Sequence, residues 1–355
     1  MKRVSVFLLC TVIVLSLAAC TATTPTPQTP GTTTPQTPAT TTPGSQENDP
    51  KITLKLGYST NEQDPRGIAS ELFKKTVQEK SNGSITVEIY PAGQLGGDAA
   101  LIEALALDSG TVDIIITDAS NFATYEPKMG ISALPFLFEN FDDAWAFMDG
   151  DIQADVEKLM LNKNMRVLAH FDNGFRCVTT SKIQVNSPAD MKGLLIRTPE
   201  NPVIMATMRA LGANPQPLAF SELYMALQQG TYDAQENPIP VIYNNKLYEV
   251  QKNLSITNHI YSGMCFTIAE STWKKMSQNQ QDIVAAAAKE AQEENRKLNR
   301  QMTEDLLSKL EAEGVKVTKP DLAPFVEATK SVAESLKDSY GEELLNRLAQ
   351  WQANH

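Results

Sequence analysis

Two short segments constrain this chain more than any others. Leu194-Leu195-Ile196-Arg197-Thr198-Pro199 and Tyr232-Asp233-Ala234-Gln235-Glu236-Asn237-Pro238 share one pattern: a run that passes as a strand, then polar groups, then proline. Proline lacks the N–H that a central strand must donate, so each run stops there. In open α/β sheets, ligands bind in the crevice outside the carboxyl ends of the strands. Two such ends within the stretch 193–261 aim Arg197 and Asn237 at one small anion.

The rest of the chain reads as alternating strands and helices. Ile52, Leu54 and Leu56 alternate with polar residues as in a strand, and Asp64-Pro65 opens a helix that Asn82-Gly83 stops. Ile85, Val87 and Ile89 alternate again; Ala99 to Leu107 is helical; Val112 to Thr117 is nearly continuous apolar, as in a strand covered on both faces. Helices follow at 142–148 and 152–161, then a strand at 166–171. A second run starts near Arg176, with strands at 194–197, 232–235 and 264–269 and helices beginning at Asn201-Pro202, Ser221 and Ile239. This order predicts an α/β fold with a mostly parallel sheet. Ser277 and Gln280 fit a capping box. A helix of about 35 residues from there, ending at Gly314, would span ~50 Å, more than one domain is wide. A short strand at Val315 and Val317 and helices at 323–336 and 342–351 close the chain.

The front end differs in kind. Met1-Lys2-Arg3 is basic, Val4 to Leu17 is apolar, and Leu17-Ala18-Ala19-Cys20 puts small residues before a cysteine. That is the pattern of a bacterial lipoprotein signal peptide over 1–19, with lipidation at Cys20; the apolar run is too short for a good membrane span. Residues 20–50 are then a disordered Thr/Pro tether, which cannot bury enough surface to offset its ordering entropy and reaches up to ~90 Å at ~3.1 Å per residue. The net charge of −11 argues against nucleic acid but not against an anion, because a pocket's potential is set by its own arginines. Of the four cysteines, Cys177 and Cys265 remain after the leader and the lipidated residue; they form either a disulfide or two buried small side chains. His170, His259 and His355 are isolated along the chain and no Cys-x-x-Cys occurs, so no metal is expected.

Each candidate group reads two ways. Arg197 either grips a ligand carboxylate with its planar fork or is held in an ion pair with Glu200 or Glu236. Asn237 is either a ligand contact or a turn residue, and Arg176 in Asn173-Gly174-Phe175-Arg176 has the same ambiguity. Asp118 and Asn121 follow the strand at 114–117 and would line the crevice from the other side. Phe220 and Tyr261 supply apolar walls or core. Gly-x-Ser-x-Gly, a phosphate-binding loop and His-Glu-x-x-His are all missing, and no cofactor is implied.

With these residues in view, the chain resembles the solute-binding subunit of tripartite ATP-independent periplasmic (TRAP) transporters from about Leu54 to Phe325. The blocks that carry the resemblance include Tyr90-Pro91-Ala92-Gly93-Gln94-Leu95-Gly96, Ala133-Leu134-Pro135-Phe136, Gly174-Phe175-Arg176 and Ile196-Arg197-Thr198-Pro199. Phe220-Ser221-Glu222-Leu223-Tyr224, Gln235-Glu236-Asn237-Pro238 and Tyr248-Glu249-Val250-Gln251-Lys252 complete the set. The resemblance implies a two-lobe periplasmic-binding-protein-like fold with hinge strands and a long helix spanning both lobes. Lobe I would hold 51–174 and 264–303, and lobe II 175–263 and 304–355.

It also places the ligand-clamping arginine on Arg197, a second contacting arginine on Arg176 and the binding asparagine on Asn237. Glu236 matches the acid that pairs with the clamp, and Phe220 an aromatic lining the pocket. Sialic-acid-binding members have arginine and glutamate where this chain has Asn121 and Asp118, which favours a smaller mono- or dicarboxylate. The implied protein is a lipid-anchored, extracytoplasmic, monomeric receptor that captures an organic acid and hands it to TRAP membrane subunits. The alternatives are a ligand sensor for a signalling receptor and a secreted hydrolase or lyase that uses Asp118 or Glu236 as its base.

Overall fold

The computed structural model describes residues 49–354; the leader, Cys20 and all of the tether but its last two residues lie outside them. The chain runs β1 (Ile52–Gly57), α1 (Pro65–Lys80), β2 (Ile85–Tyr90), α2 (Asp98–Ala106), β3 (Ile114–Asp118), then 3-10 turns at Ala119–Thr124 and Pro127–Ala133. Next come α3 (Phe141–Met148), α4 (Asp151–Lys158), β4 (Met165–Thr180), α5 (Pro188–Met191), β5 (Leu195–Thr198), α6 (Pro202–Ala210) and β6 (Asn214–Pro217). α7 (Phe220–Gln228), β7 (Ala234–Pro238), α8 (Ile239–Asn244), β8 (Asn253–Ala269), α9 (Glu270–Lys275), α10 (Gln278–Ala312) and β9 (Lys316–Thr318) follow. Four short helices end it: α11 (Ala323–Thr329), α12 (Ser331–Ser335), α13 (Lys337–Tyr340) and α14 (Glu342–Asn354). Among the described residues no helix is long and apolar enough to cross a membrane.

Among the described residues, nine strands join one sheet, ordered β2-β1-β3-β8-β4-β7-β5-β6 with β9 on β8. Parallel pairing is confined to the flanks, β2-β1-β3 and β7-β5-β6, and to β9. The centre is antiparallel: β8 against both β3 and β4, and β4 against β7. The expected mostly parallel sheet is therefore a mixed one. The cause is the length of β4 and β8, 16 and 17 residues. Periodicity reveals only their apolar ends, 166–171 and 264–269. Their other halves carry buried polar side chains, so a hydrophobic pattern passes over them.

The local rules at helix ends hold. Asp64 caps α1 by accepting from the Arg66 N–H with Pro65 next to it, and Asn201 caps α6 by accepting from Val203 and Ile204 at 3.1 Å each. Ser277 and Gln280 form the capping box of α10, which is 35 residues long.

Packing shows why that helix exists. Its first half puts Val284, Ala287, Ala288 and Ala291 into a core with Leu54, Leu56, Phe73, Ile116 and Phe266. Its last turns put Leu306 and Leu310 into a different core with Cys177, Leu223, Ile242 and Leu254. A third cluster on the opposite face joins α2, α3 and α4 to Val203 and Ile204 of α6 and to Tyr340, Leu344 and Leu348. The C-terminal helices thus bridge α4 and α6. Cys177 and Cys265 are both free and buried, so the disulfide alternative is not met.

Phe266 sits at the centre of the first core, with ring centroids 4.8 Å from Phe73 and 5.4 Å from Phe171. Truncating a fully buried phenylalanine costs about 3–5 kcal/mol. Phe266→Ala is expected to lower the free energy of unfolding by that amount in urea titration.

Candidate functional site

A cleft of about 840 Å³ opens between the two flanks of the sheet. One wall is the start of α2 and the turn after β3: Gly97, Asp98, Ile102, Glu103, Asn121, Thr124 and Tyr125. The other is the carboxyl end of β5 and the approach to α7: Arg197, Pro199, Glu200, Pro217, Leu218 and Ala219.

Arg197 is the cation of this cleft. It is the penultimate residue of β5, directly before Thr198-Pro199, so its backbone is fixed in the sheet while its side chain lines the cleft. Only 3% of it is exposed, yet among the described residues it makes no ion pair. Its Nε–H and Nη2–H both donate to the Leu218 carbonyl, at 2.9 and 2.6 Å, and the guanidinium stands 5.8 Å over the Phe220 ring. Burial lowers its pKa to about 10, although Glu236 opposes the change. The group is still a cation at neutral pH, oriented by a carbonyl and a ring and without a carboxylate of its own.

Arg176 is the opposite case. The β4–β7 register pairs Arg176 with Pro238 and Val178 with Glu236, which brings the arginine diagonally onto Glu236. Nε and Nη2 hold the Glu236 carboxylate, the latter at 2.8 Å, and Nη2 also reaches the Glu236 carbonyl at 2.8 Å and Asn237 Oδ1 at 3.3 Å. His259 Nε2 lies 3.3 Å from the same carboxylate, with Thr257 on Nδ1 at 2.8 Å. Burial pushes the Glu236 pKa up, but the charge and hydrogen bonds of Arg176 bring it below the ordinary value. Burial pushes His259 down despite Glu236, so its ring is neutral, donating to Glu236 and accepting from Thr257. Glu236 therefore pairs with Arg176, not with Arg197 as the resemblance implied. The reason is register: β5 sets Arg197 opposite Gln235, one residue short of Glu236 and so on the other face from it, whereas β4 brings Arg176 diagonally onto Glu236.

The remaining expected residues divide. Asn121 lines the cleft, and Phe220 backs Arg197 and faces a second cavity of about 380 Å³. Asn237 lies behind the wall, 4% exposed, its amide donating to Gln235 Oε1 at 2.6 Å. Asp118 is buried and accepts from the Ser120 N–H at 2.9 Å and from Ser262, which Arg176 Nη1 also approaches at 3.4 Å. Tyr261 is not a cleft wall: its ring packs on Phe138 and Phe175 in the core. Glu103, Thr124 and Tyr125 carry no sequence signal, because nothing local distinguishes them from ordinary helix and turn residues. Asn201 plays a second role that its place at a helix start conceals. Besides capping α6 it donates to Asn121 Oδ1 at 3.2 Å, linking the two walls.

The family described as bacterial extracellular solute-binding protein, family 7 (DctP), matches residues 56–339. The 2,3-diketo-L-gulonate-binding periplasmic protein of Escherichia coli is 36% identical over 265 residues, 75% of this chain and 80% of that protein. The sialic acid-binding periplasmic protein of Vibrio cholerae is 35% identical over 298 residues, 84% of this chain and 92% of that protein. Among solved structures, the sugar acid binding protein of Advenella mimigardefordensis in complex with galactonate superposes with a TM-score of 0.82 at 32% identity, covering 86% of this chain and 98% of that one. The chain belongs to solute-binding protein family 7, the TRAP solute-binding proteins, and has their two-lobe fold.

Removing one partner of a buried charge pair strands the other, a loss of about 3–5 kcal/mol. Glu236→Gln is expected to destabilise the fold by that amount at pH 7. A carboxylate whose folded pKa is depressed stabilises above its unfolded value of about 4.3, and that stability is lost as pH falls through the folded value. The variant should therefore lose less stability than the parent on acidification below about pH 4, read from denaturation midpoints across pH.

Proposed function

We propose that this member of solute-binding protein family 7 is an extracytoplasmic receptor that holds a polyhydroxylated monocarboxylate in the cleft and delivers it, unchanged, to TRAP membrane subunits. The observation that carries the reading is Arg197: a buried guanidinium in the cleft wall, fixed in orientation, with no carboxylate partner among the described residues. A ligand carboxylate supplies that partner. Charge-assisted hydrogen bonds of this kind contribute about 1.5–3 kcal/mol each.

The opposite lining argues for the rest of the ligand. Asp98 and Glu103 face the same space as Asn121, Thr124 and Tyr125, and Glu200 reaches it from the wall of Arg197. Carboxylates accept hydrogen bonds from hydroxyls, whereas a second ligand carboxylate would meet like charge. A sugar acid with one carboxylate and several hydroxyls fits both halves of the cleft; the relatives that bind 2,3-diketo-L-gulonate and galactonate fit this reading. Arg176, Glu236 and Asn237 are then the floor that positions the wall. Asp118 is bound within the same network, and with Arg176 on Glu236 neither acid is free to act as a base.

In this reading the lobes are divided near Gly174 and Gly263, the chain acts as a monomer, and Cys20 carries the lipid that holds it to a membrane. Acyl labelling of a Cys20→Ser chain tests the anchor separately.

Calorimetry with aldonates and with the dicarboxylates of equal chain length tests the ligand class. The aldonate is expected to bind at least tenfold tighter. Arg197→Ala and Arg197→Lys should each weaken it tenfold or more, since lysine lacks the planar fork. Tighter binding of the dicarboxylate, or unchanged affinity in either variant, would overturn the assignment.

A further inference from the structure

His170 and Cys265 are direct partners across β4 and β8, so both side chains stand on the same face of the sheet. Helix α4 packs on that face, and Gln153 and Glu157, one turn apart along it, point the same way. His170 Nε2 lies 2.7 Å from Glu157 Oε1, and Cys265 Sγ lies 3.8 Å from that oxygen. The ligand atoms of His170, Cys265 and Glu157 all fall within 4.8 Å of one another. Gln153 donates from Nε2 to Glu157 at 2.7 Å, while its Oε1 is buried with no hydrogen-bond partner. The expectation of isolated histidines fails at this point; the residues are remote in sequence, and only the strand pairing and the packing of α4 bring them together.

We propose that this cluster is a binding site for a divalent transition metal of the zinc class, ligated by His170 Nε2, Cys265 Sγ and Glu157, with Gln153 Oε1 beside the fourth position. The donor set is one nitrogen, one sulfur and one carboxylate, which suits zinc or cobalt and excludes calcium and magnesium. Bonds of about 2.0–2.3 Å to a tetrahedral ion separate the ligand atoms by roughly 3.2–3.7 Å. The histidine–glutamate pair must open and the cysteine–glutamate pair close by less than about 1 Å, and the histidine–cysteine pair, within 4.8 Å, must close by no more than about 1.5 Å, changes that side-chain torsions can supply.

Outside these ligands, Asp149 Oδ1 sits 2.9 Å from His170 Nδ1, the carboxylate–histidine arrangement that fixes a metal-binding tautomer. Asp149 is itself held by Arg296 of α10 through bonds of 2.6 and 3.0 Å. Ligation by imidazole and thiolate displaces the protons on His170 Nε2 and Cys265 Sγ to solvent as the metal enters. Access is from the Asp149 and Glu157 side, whose side chains are 39% and 12% exposed. None of these residues lines the cleft, so the site is independent of the carboxylate reading.

Cobalt(II) titrated into the chelator-treated full-length chain tests it, because thiolate ligation gives a near-ultraviolet charge-transfer band that a merely structural cluster cannot produce. One equivalent is expected to saturate the band, and zinc to abolish it. The band should vanish in Cys265→Ser and persist in Cys177→Ser. A wild-type titration without the band, or a band that survives Cys265→Ser, overturns the proposal. Should Cys265→Ser lose its native circular dichroism, Glu157→Gln decides. It is expected to weaken zinc binding at least tenfold with carboxylate binding in the cleft within twofold of wild type, and unchanged zinc affinity overturns the site.

Discussion

The antiparallel pairing of β4 with β8 is the constraint on which the rest of this molecule depends. The strands β1 to β3 reach the sheet through β8, and β5 to β7 reach it through β4, so the two flanks of the sheet are joined through this pair. The pairing is not uniform. Its register shifts between Val167 and Ala169, between Asp172 and Gly174, and between Arg176 and Val178. Such bulges sharpen the local twist and re-aim side chains. The middle shift needs Gly174: its φ is +107°, and a Cβ there would meet Pro238 at 3.2 Å. Helix α10 pins the same point from behind, Asn295 accepting from the Asp172 N–H and Asn299 donating to the Asp172 carbonyl. The long helix and the two long strands are thus one frame, and the cleft lies where its flanks face each other.

Within that frame, two buried arginines a few strands apart have opposite circumstances. Both are nearly inaccessible, and the desolvation of a guanidinium is expensive unless something compensates it. Arg176 is compensated from within, by Glu236, so its charge belongs to the scaffold. Arg197 has only a carbonyl and an aromatic face. A fold that could have placed a carboxylate against both arginines has placed one against only the first. The contrast supports assigning the second to a ligand, and it makes Arg176 a support for the wall more than a direct contact.

Much of this was legible in the residues. Proline after Thr198 and after Asn237 marked the two strand ends, the Ser277–Gln280 box marked the start of the long helix, and Asn201-Pro202 marked α6, because each of these signals is local and steric. The antiparallel centre was not legible. The polar halves of β4 and β8 are buried by pairing with one another, so Asp172, Asn173, Arg176, His259 and Ser262 look like loop chemistry until the register is known. For the same reason Tyr261, which read as either wall or core, proved to be core. Glu236 was matched to the wrong arginine, because a one-strand difference in neighbour cannot be read along a chain. The grouping of His170, Glu157 and Cys265 is the extreme case, with His170 and Cys265 lying 13 and 108 positions from Glu157.

The net charge of −11 bears on how such a cleft can hold an anion at all. At physiological ionic strength a charge is screened beyond roughly 8 Å, so most of the acidic surface is not felt inside the cleft. What is felt is near: Asp98 and Glu236 both act on Arg197, and both raise its pKa against the larger effect of burial. Asp98 is anchored by the Ser59 hydroxyl at 2.9 Å and shares the cleft with Arg197. The lining holds three acids, Asp98, Glu103 and Glu200, against the one guanidinium of Arg197, so an anion is favoured only where its charge meets that guanidinium. A monocarboxylate that brings hydroxyls satisfies the cation with its charged end and the acids with its neutral one. A dicarboxylate satisfies the first and opposes the second. In the proposed reading, selectivity rests on that asymmetry between the guanidinium and the acids rather than on the total charge of the protein.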